Sequence, residues 1–387
     1  MNKVRYGIVG IGGMCSTHAN FLYDGKVKNA VLAAVCDVDP DRIAYAKANW
    51  TDGVAYFDDA EALMTSGLCD AVLIATPHYD HPGLAIKAFS HGLHVLSEKP
   101  AGVYTAQVEE MNAAAEASGK KFGINFCVRY NPVFKKAKDL VESGELGELK
   151  RTNWIITNWY RTQKYYDSGA WRASWAGEGG GTLLNQNPHQ LDLWQWICGM
   201  PVKVRAFMGF GKMHNIEVED DVTAYVEYEN GATGVYVTST HDAPGTNRLE
   251  ITGTKGKLVV EDNKVTLWRN RVDEREFCFD PNAKGAPECW KCEIPVRDTY
   301  RQHIDTMENF ADWILFDKPM LAPGIEGIRS LSLSNAMYLS AWTDSTIDIP
   351  TLDKDLFKKL LDEKIASSTY VKTVVKSDDV KIATATK

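Results

Sequence analysis

Five continuous apolar runs, VRYGIVG, VLAAVCD, AVLIATP, HVLSEKP and FGINF, occupy the first third of the chain, with helical patterns between them. A strand that is apolar at nearly every position has no face to give to water, so both of its faces must be covered. Intervening helices supply that cover, and connections long enough to hold a helix make the strands parallel. A doubly wound parallel sheet is therefore predicted for residues 1–125. Past residue 126 the texture changes. VTAYVEYENGATGVYVTST, LEITGTKGKLVVED and KVTLWRN alternate apolar with polar residues and are broken by turns such as ENG and TKG. That pattern predicts an α+β unit over 126–350, built on a large, mostly antiparallel sheet with one open face. A helix-rich segment at about 301–345 belongs to it. Residues 351–387 read as a C-terminal helix, DLFKKLLDEKI, followed by a polar tail expected to fray.

The chain has 387 residues, 44% hydrophobic and 24% charged, enough to bury sizeable cores. A net charge of -8 with no strongly basic patch argues against nucleic acid as the main partner. No apolar stretch approaches membrane-spanning length, and no basic segment, apolar run and cleavage site open the chain. A cytoplasmic protein is expected. Cysteines are scattered, and Cys36, Cys127 and Cys198 lie in apolar runs, as reduced buried thiols do. Cys289 and Cys292 have C-x-x-C spacing but lack a second ligand pair, so they read as structural, and no metal is expected.

The first strand opens into GIVGIGGMCSTH, where Gly10, Gly12 and Cys15 fall on the G-x-G-x-x-G positions. The first two glycines let the backbone turn tightly and approach a pyrophosphate at a helix N-terminus. The third position serves close helix–strand packing, which a small cysteine allows. Gly13 and Met14 open the helix and are assigned to the same site. Asp37 ends the second strand in VCDVDPDR and can accept the ribose hydroxyls; Arg42 follows it. Asp37 and Asp39 would repel a 2′-phosphate, so NAD is expected rather than NADP. HVLSEKP ends a later strand with Glu98 and Lys99, and ligands of open α/β sheets sit beyond the strands' carboxyl ends. Lys99 is thus a candidate electrophile for a substrate oxygen.

Residues 179–201 read GGGTLLNQNPHQLDLWQWICGMP. Asn187 suits an N-cap, Pro188 the first helical position, and Gln190 can return a capping-box hydrogen bond. Gly199 and Pro201 end the run. Leu191, Leu193, Trp194, Trp196 and Ile197 make nearly every face apolar, so a buried helix is expected. His189 falls in its first turn, where the unpaired N–H groups and the helix dipole disfavour imidazolium. The neutral ring is the form a general base needs. The alternative is a core histidine hydrogen-bonded to a neighbour such as Asp192.

A Rossmann start, EKP after a later strand, and GGG-x-L … H-x-x-D ahead of a large open sheet together resemble the glucose-fructose oxidoreductase / inositol dehydrogenase / rhizopine-catabolism (Gfo/Idh/MocA) family, over nearly the whole chain to about Pro350. The resemblance implies a two-domain NAD(P)-dependent oxidoreductase acting on sugars, cyclitols or glycosides, with Lys99 and His189 as the catalytic pair. It implies that Thr76, Pro77, His78 and His81 of ATPHYDH lie around the cofactor, with Glu98, Lys99, Asn125 and Arg172. Asn125, Arg129 and Tyr130 of NFCVRYNP fall at the domain junction, and Trp171–Arg172 precede the glycines. Arg129, Tyr160, Trp171, Arg172 and Asn185 are assigned to the substrate. The family's usual aspartate four residues before the histidine is Asn185 here, which can only hydrogen-bond, and the position often held by glycine is Asn187.

Between 151 and 175 the chain carries Trp154, Trp159, Tyr160, Tyr165, Tyr166, Trp171 and Trp175, rings that stack on the C–H faces of sugars or pack cores and interfaces. The expected reaction is hydride transfer from a secondary hydroxyl, with C3 of a glucoside a candidate. A redox-assisted glycosidase or lyase of the same family is the first alternative, and a non-enzymatic nucleotide- or sugar-sensing subunit the second. Apolar residues on both faces of VYVTST and AYVEYE predict a homodimer or homotetramer packed through the second sheet.

Overall fold

The computed structural model describes residues 3–374; of the polar tail expected to fray, residues 375–387 lie outside that range, while the part before them is docked, with Tyr370 Oη donating to the Asn215 carbonyl at 3.0 Å. The first sheet holds β1 (Val4–Val9), β2 (Ala30–Cys36), β3 (Ala55–Phe57), β4 (Ala71–Ile74), β5 (His94–Ser97) and β6 (Phe122–Ile124). All are parallel, in the order β3-β2-β1-β4-β5-β6. This is the doubly wound arrangement read from the apolar runs, and its crevice for a dinucleotide opens between β1 and β4.

The second sheet has nine strands: β7 (Leu149–Ile156), β8 (Lys203–Phe210), β9 (Glu219–Glu227), β10 (Thr233–Ser239), β11 (Asn247–Gly253), β12 (Gly256–Glu261), β13 (Lys264–Asn270), β14 (Cys289–Ile294) and β15 (Ile347–Asp348). Their order is β14-β13-β12-β11-β7-β10-β9-β8-β15. Neighbours run antiparallel except β7 and β10, which pair in parallel at the centre. One face packs Trp154, Val222, Ala224, Val226 and Tyr236 into the core, while Ile155, Phe207 and Tyr225 stand exposed on the other. Cys289 and Cys292 lie three apart on edge strand β14, which points them to opposite faces, and both thiols are free.

Two helices tie the units together. His303–Phe316 follows the second sheet in sequence but packs on the first: Tyr6 Oη donates to the Met307 carbonyl at 3.2 Å, and the Tyr6 and Phe310 rings meet. Gly327–Thr343 carries Asn335, whose amide accepts from Thr105 N and donates to the Val103 carbonyl.

Candidate active site

The turn after β1 is built for an anion. Gly10 has φ +91°, and a Cβ there would press on the Ala75 carbonyl. Helix Gly13–Tyr23 starts at once, with Gly12 as its cap, no side-chain cap and no acidic residue in its first turn. A Cβ on Gly12 would meet nothing within 4 Å, so the helix N–H groups face open space, the cradle a pyrophosphate needs. Asp37 braces the turn, accepting from Ile11 N at 2.6 Å and Asp39 N at 2.9 Å. Each carboxylate oxygen keeps acceptor capacity for ribose hydroxyls. Thr76 Oγ1 is buried without a partner beside Gly10. These residues fit NAD. Gly13 and Arg42 are exposed, Met14 and Pro77 half-buried, and Cys15 is buried in the helix, its thiol pushed well up first by burial.

Glu98 and Lys99 follow β5 at its carboxyl end. The Lys99 ammonium donates to the Asn185 carbonyl at 2.7 Å, which joins the two units at the crevice. Burial lowers its pKa, Glu98 opposes, and the charges of Arg172 and Arg161 add to the lowering. Glu98 is buried beneath, with His18 Nε2 at 2.7 Å and Asn125 Nδ2 at 2.5 Å from its Oε1. Burial alone would raise this carboxyl; the hydrogen bond and charge of His18 outweigh it and hold Glu98 well below the usual range. His18, Glu98 and His303 each bring a ligand-type atom within 4.8 Å of the others, a spacing that suits a metal ion. The Asn125 amide nitrogen sits among them, 3.1 Å from His303 Nδ1 and 3.4 Å from His18 Nε2, so an N–H donor already occupies the centre of the cluster. Asn125 Oδ1 is buried with no protein partner.

The three glycines give way to a π-type turn, Thr182–Gln186, and then to helix Pro188–Cys198. Such wide turns recur at functional sites. A Cβ on Gly180 would run into the Tyr338 hydroxyl, and one on Gly181 into the Glu219 carbonyl. The fully buried Glu219 carboxylate accepts from Gly181 N and Leu183 N, both at 2.8 Å, and burial raises its pKa to about 7. Asn185 Nδ2 donates to Glu178, a carboxylate buried just ahead of the glycines that also accepts from Ala173 N at 2.6 Å; burial raises it. Arg172 Nη1 lies 4.0 Å from Glu178.

Four turn residues on, the His189 ring makes no hydrogen bond among the described residues, and its Nδ1 is buried without a partner. Its edge meets Phe126, with ring centroids 6.1 Å apart. Burial first, then the charge of Lys99, push its pKa down to about 3. The neutral ring expected from the helix N-terminus is present, but burial is the largest cause. Asp192 does not hold it: that carboxylate is taken by Arg129 and Gln195. The capping box does not form either. Asn187 is the N-cap residue, but its amide donates to Thr238 Oγ1 instead.

Two assignments need correction. Arg129 has no free donor face for a substrate: it is fully buried, bidentate to Asp192 at 2.6 and 2.7 Å, 2.5 Å from Glu326, and bonded to the Leu321 carbonyl. It anchors the helix that bears His189. His81 is also a strut, because its two ring nitrogens lie 2.8 Å from the Pro100 and Thr76 carbonyls. His78 Nδ1 reaches the Glu178 carbonyl at 3.0 Å and its ring abuts Trp171, so it bridges the cofactor loop and the substrate side. Tyr160 is 52% exposed, and Tyr130 Oη bonds Asn309. His18, His303, Glu178, Glu219 and Arg161 were not found by sequence reasoning. Only Glu178, adjacent to the glycines, had a local signal.

Backbone donors suited to a dinucleotide on one unit, and a half-buried lysine bonded to the turn that precedes His189 on the other, fit an oxidoreductase of the nicotinamide-dependent class. Residues 4–126 match the model of the oxidoreductase family with an NAD-binding Rossmann fold, and residues 134–259 match the GFO/IDH/MocA C-terminal domain. D-glucoside 3-dehydrogenase of Escherichia coli is 26% identical, with 90% of this chain and 98% of that protein covered. Myo-inositol 2-dehydrogenase of Thermotoga maritima is 26% identical, over 86% and 95%. The WlbA dehydrogenase of Bordetella pertussis, solved with NADH and UDP-GlcNAcA, superposes with a TM-score of 0.77 at 27% identity, covering 91% and 100%. The chain belongs to the Gfo/Idh/MocA family of NAD-binding oxidoreductases.

Proposed function

We propose that the chain is a dehydrogenase for a secondary hydroxyl of a sugar, glycoside or cyclitol, with NAD preferred over NADP and Lys99 and His189 as its catalytic pair. Relatives that act on a glucoside and on an inositol support the substrate class. Bound NAD supplies the hydride acceptor. Gly10, Gly12 and the start of helix Gly13–Tyr23 bind its phosphates, and Asp37 its ribose. Lys99 Nζ donates to the substrate oxygen and stabilises the charge that develops there. His189 takes the hydroxyl proton; its half-buried neutral ring has an unused acceptor and no competing partner among the described residues. Asn185 turns its Nδ2 to Glu178, which leaves Oδ1 to accept from a neighbouring substrate hydroxyl. Glu178 thereby positions Asn185 where the family usually has a carboxylate. Tyr160, Trp171 and Arg172 complete the substrate side. The exposed face carrying Ile155, Phe207 and Tyr225 supports assembly into a homodimer or homotetramer.

One observation carries this reading: a neutral histidine with no hydrogen-bond partner among the described residues sits four residues from the carbonyl that receives the half-buried Lys99. A panel of free sugars, inositols and glucosides, followed by NADH absorbance and product NMR, tests it. Stoichiometric NADH and a ketone are expected. A released leaving group without net NADH would replace it with redox-assisted elimination.

A further inference from the structure

Arg161 stands on the loop after β7, and its guanidinium lies 5.2 Å from the Trp159 ring centroid and 4.6 Å from that of Tyr165. Among the described residues no carboxylate lies within salt-bridge distance of it and no side-chain atom of it donates a hydrogen bond; its Nε is buried without a partner. Its backbone is fixed, with N donating to the Thr240 carbonyl at 2.8 Å and the carbonyl lying 2.9 Å from His214 Nε2. A buried, desolvated N–H of a permanently charged group is costly to leave unmatched, and such groups in native proteins call for a partner. The position says which partner. Tyr165 is shared: Arg172 also lies 4.6 Å from its ring centroid, and the Tyr165 hydroxyl accepts from Arg172 Nη1 at 2.8 Å and from Gln186 Nε2 at 3.1 Å. Gln186 adjoins Asn185, the residue that binds Lys99. Two guanidiniums thus share one ring, and that ring's hydroxyl is bonded to the residue next to Asn185. Arg172 has Glu178 at 4.0 Å, whereas Arg161 has no counter-charge among the described residues. The charges of both arginines lower the Lys99 pKa, as nearby cations do.

We infer that the substrate is an anionic sugar, one whose carboxylate or phosphate pairs with Arg161, and with Arg172 beside it, while the hydroxyl to be oxidised meets Lys99 and His189. This rests on the dehydrogenase reading of the same site. The planar fork of arginine matches both oxyanions. A neutral hexoside would leave the guanidinium of Arg161 without a counter-charge in the complex.

Calorimetric titration and NADH formation with methyl glucoside, methyl glucuronide and glucose 6-phosphate, on wild type, Arg161→Met and Arg161→Lys, test the inference. Wild type is expected to bind one of the two anionic sugars about ten- to hundredfold more tightly than the neutral glucoside, the range of a charge-assisted hydrogen bond. The anion that does so decides between carboxylate and phosphate. Arg161→Met should erase that preference and Arg161→Lys keep part of it, with circular dichroism unchanged. Equal binding of all three sugars by wild type would overturn the inference, as would a preference untouched by Arg161→Met. The binding arm stands alone: an anion preference without NADH would sink the dehydrogenase reading and leave the anion site standing.

Discussion

The two halves of the site are held by different means. On the proposed cofactor side the groups are backbone N–H donors, at a turn shaped by Gly10, with open space before Gly12, and braced by one carboxylate, Asp37. On the substrate side the working groups are side chains, and buried charges from far along the chain hold them: Glu219 under the turn, Glu178 on Asn185, and Arg129 with Asp192 and Glu326 under the helix. Gly12 and Gly181 show the difference directly. A Cβ on Gly12 would meet open space, where the proposal puts a ligand, and one on Gly181 would strike the Glu219 carbonyl of the protein itself. A backbone site can be altered without harm to the fold, whereas a site resting on buried charge cannot.

Substitutions should separate the two halves. The largest effects fall on catalysis: His189→Ala and Lys99→Met should each lower turnover about 10²–10⁴-fold while NAD affinity by calorimetry holds, since the glycine loop lies apart from both. Turnover within threefold of wild type would remove either residue from the chemistry. Arg129→Ala should come next, destabilising the fold by about 3–5 kcal/mol in urea titration, because Asp192 is left as a buried uncompensated charge. A loss below about 1 kcal/mol would show that the clamp is dispensable. Asp37→Ala should weaken NAD by roughly ten- to hundredfold and NADP far less, with little change in melting temperature; equal losses for the two cofactors would contradict the ribose role. The glycine pair gives the smallest and sharpest contrast. Gly181→Ala should cost about 1–3 kcal/mol of stability through overpacking, and Gly12→Ala less than about 0.5 kcal/mol while still weakening NAD. Similar stability losses from both would break the distinction.

What was legible in the sequence follows the same division. The parallel sheet shows in apolar runs, and the cofactor loop in Gly10, Gly12 and Asp37, because local spacing dictates both. His189 and Lys99 could be picked out through the glycines, Pro188 and Pro100 that frame them. Their supports could not. Glu219 reaches Gly181 across 38 residues, Glu326 reaches Arg129 across 197, and His303 arrives beneath Glu98 on a helix that returns from the second unit to the first. Arg129 and His81 were misassigned for a related reason. A polar residue in a functional segment reads the same whether it faces a ligand or a buried partner, and only the packed fold shows that its donors are spent.

The proposal that His189 works as a half-buried neutral base is tested most directly by the pH dependence of kcat/KM. With the folded pKa near 3 and an ordinary value of 6.5, the ring stays neutral as pH falls from 8 toward 5. The stability contributed by keeping it neutral is present above 6.5 and lost as pH falls toward 3. From pH 8 down to about 5, kcat/KM should therefore show no acid limb that depends on His189. An acid limb with an apparent pKa near 6.5, present in wild type and absent in His189→Asn, would show that the histidine titrates as a solvated group and would contradict the neutral-base assignment.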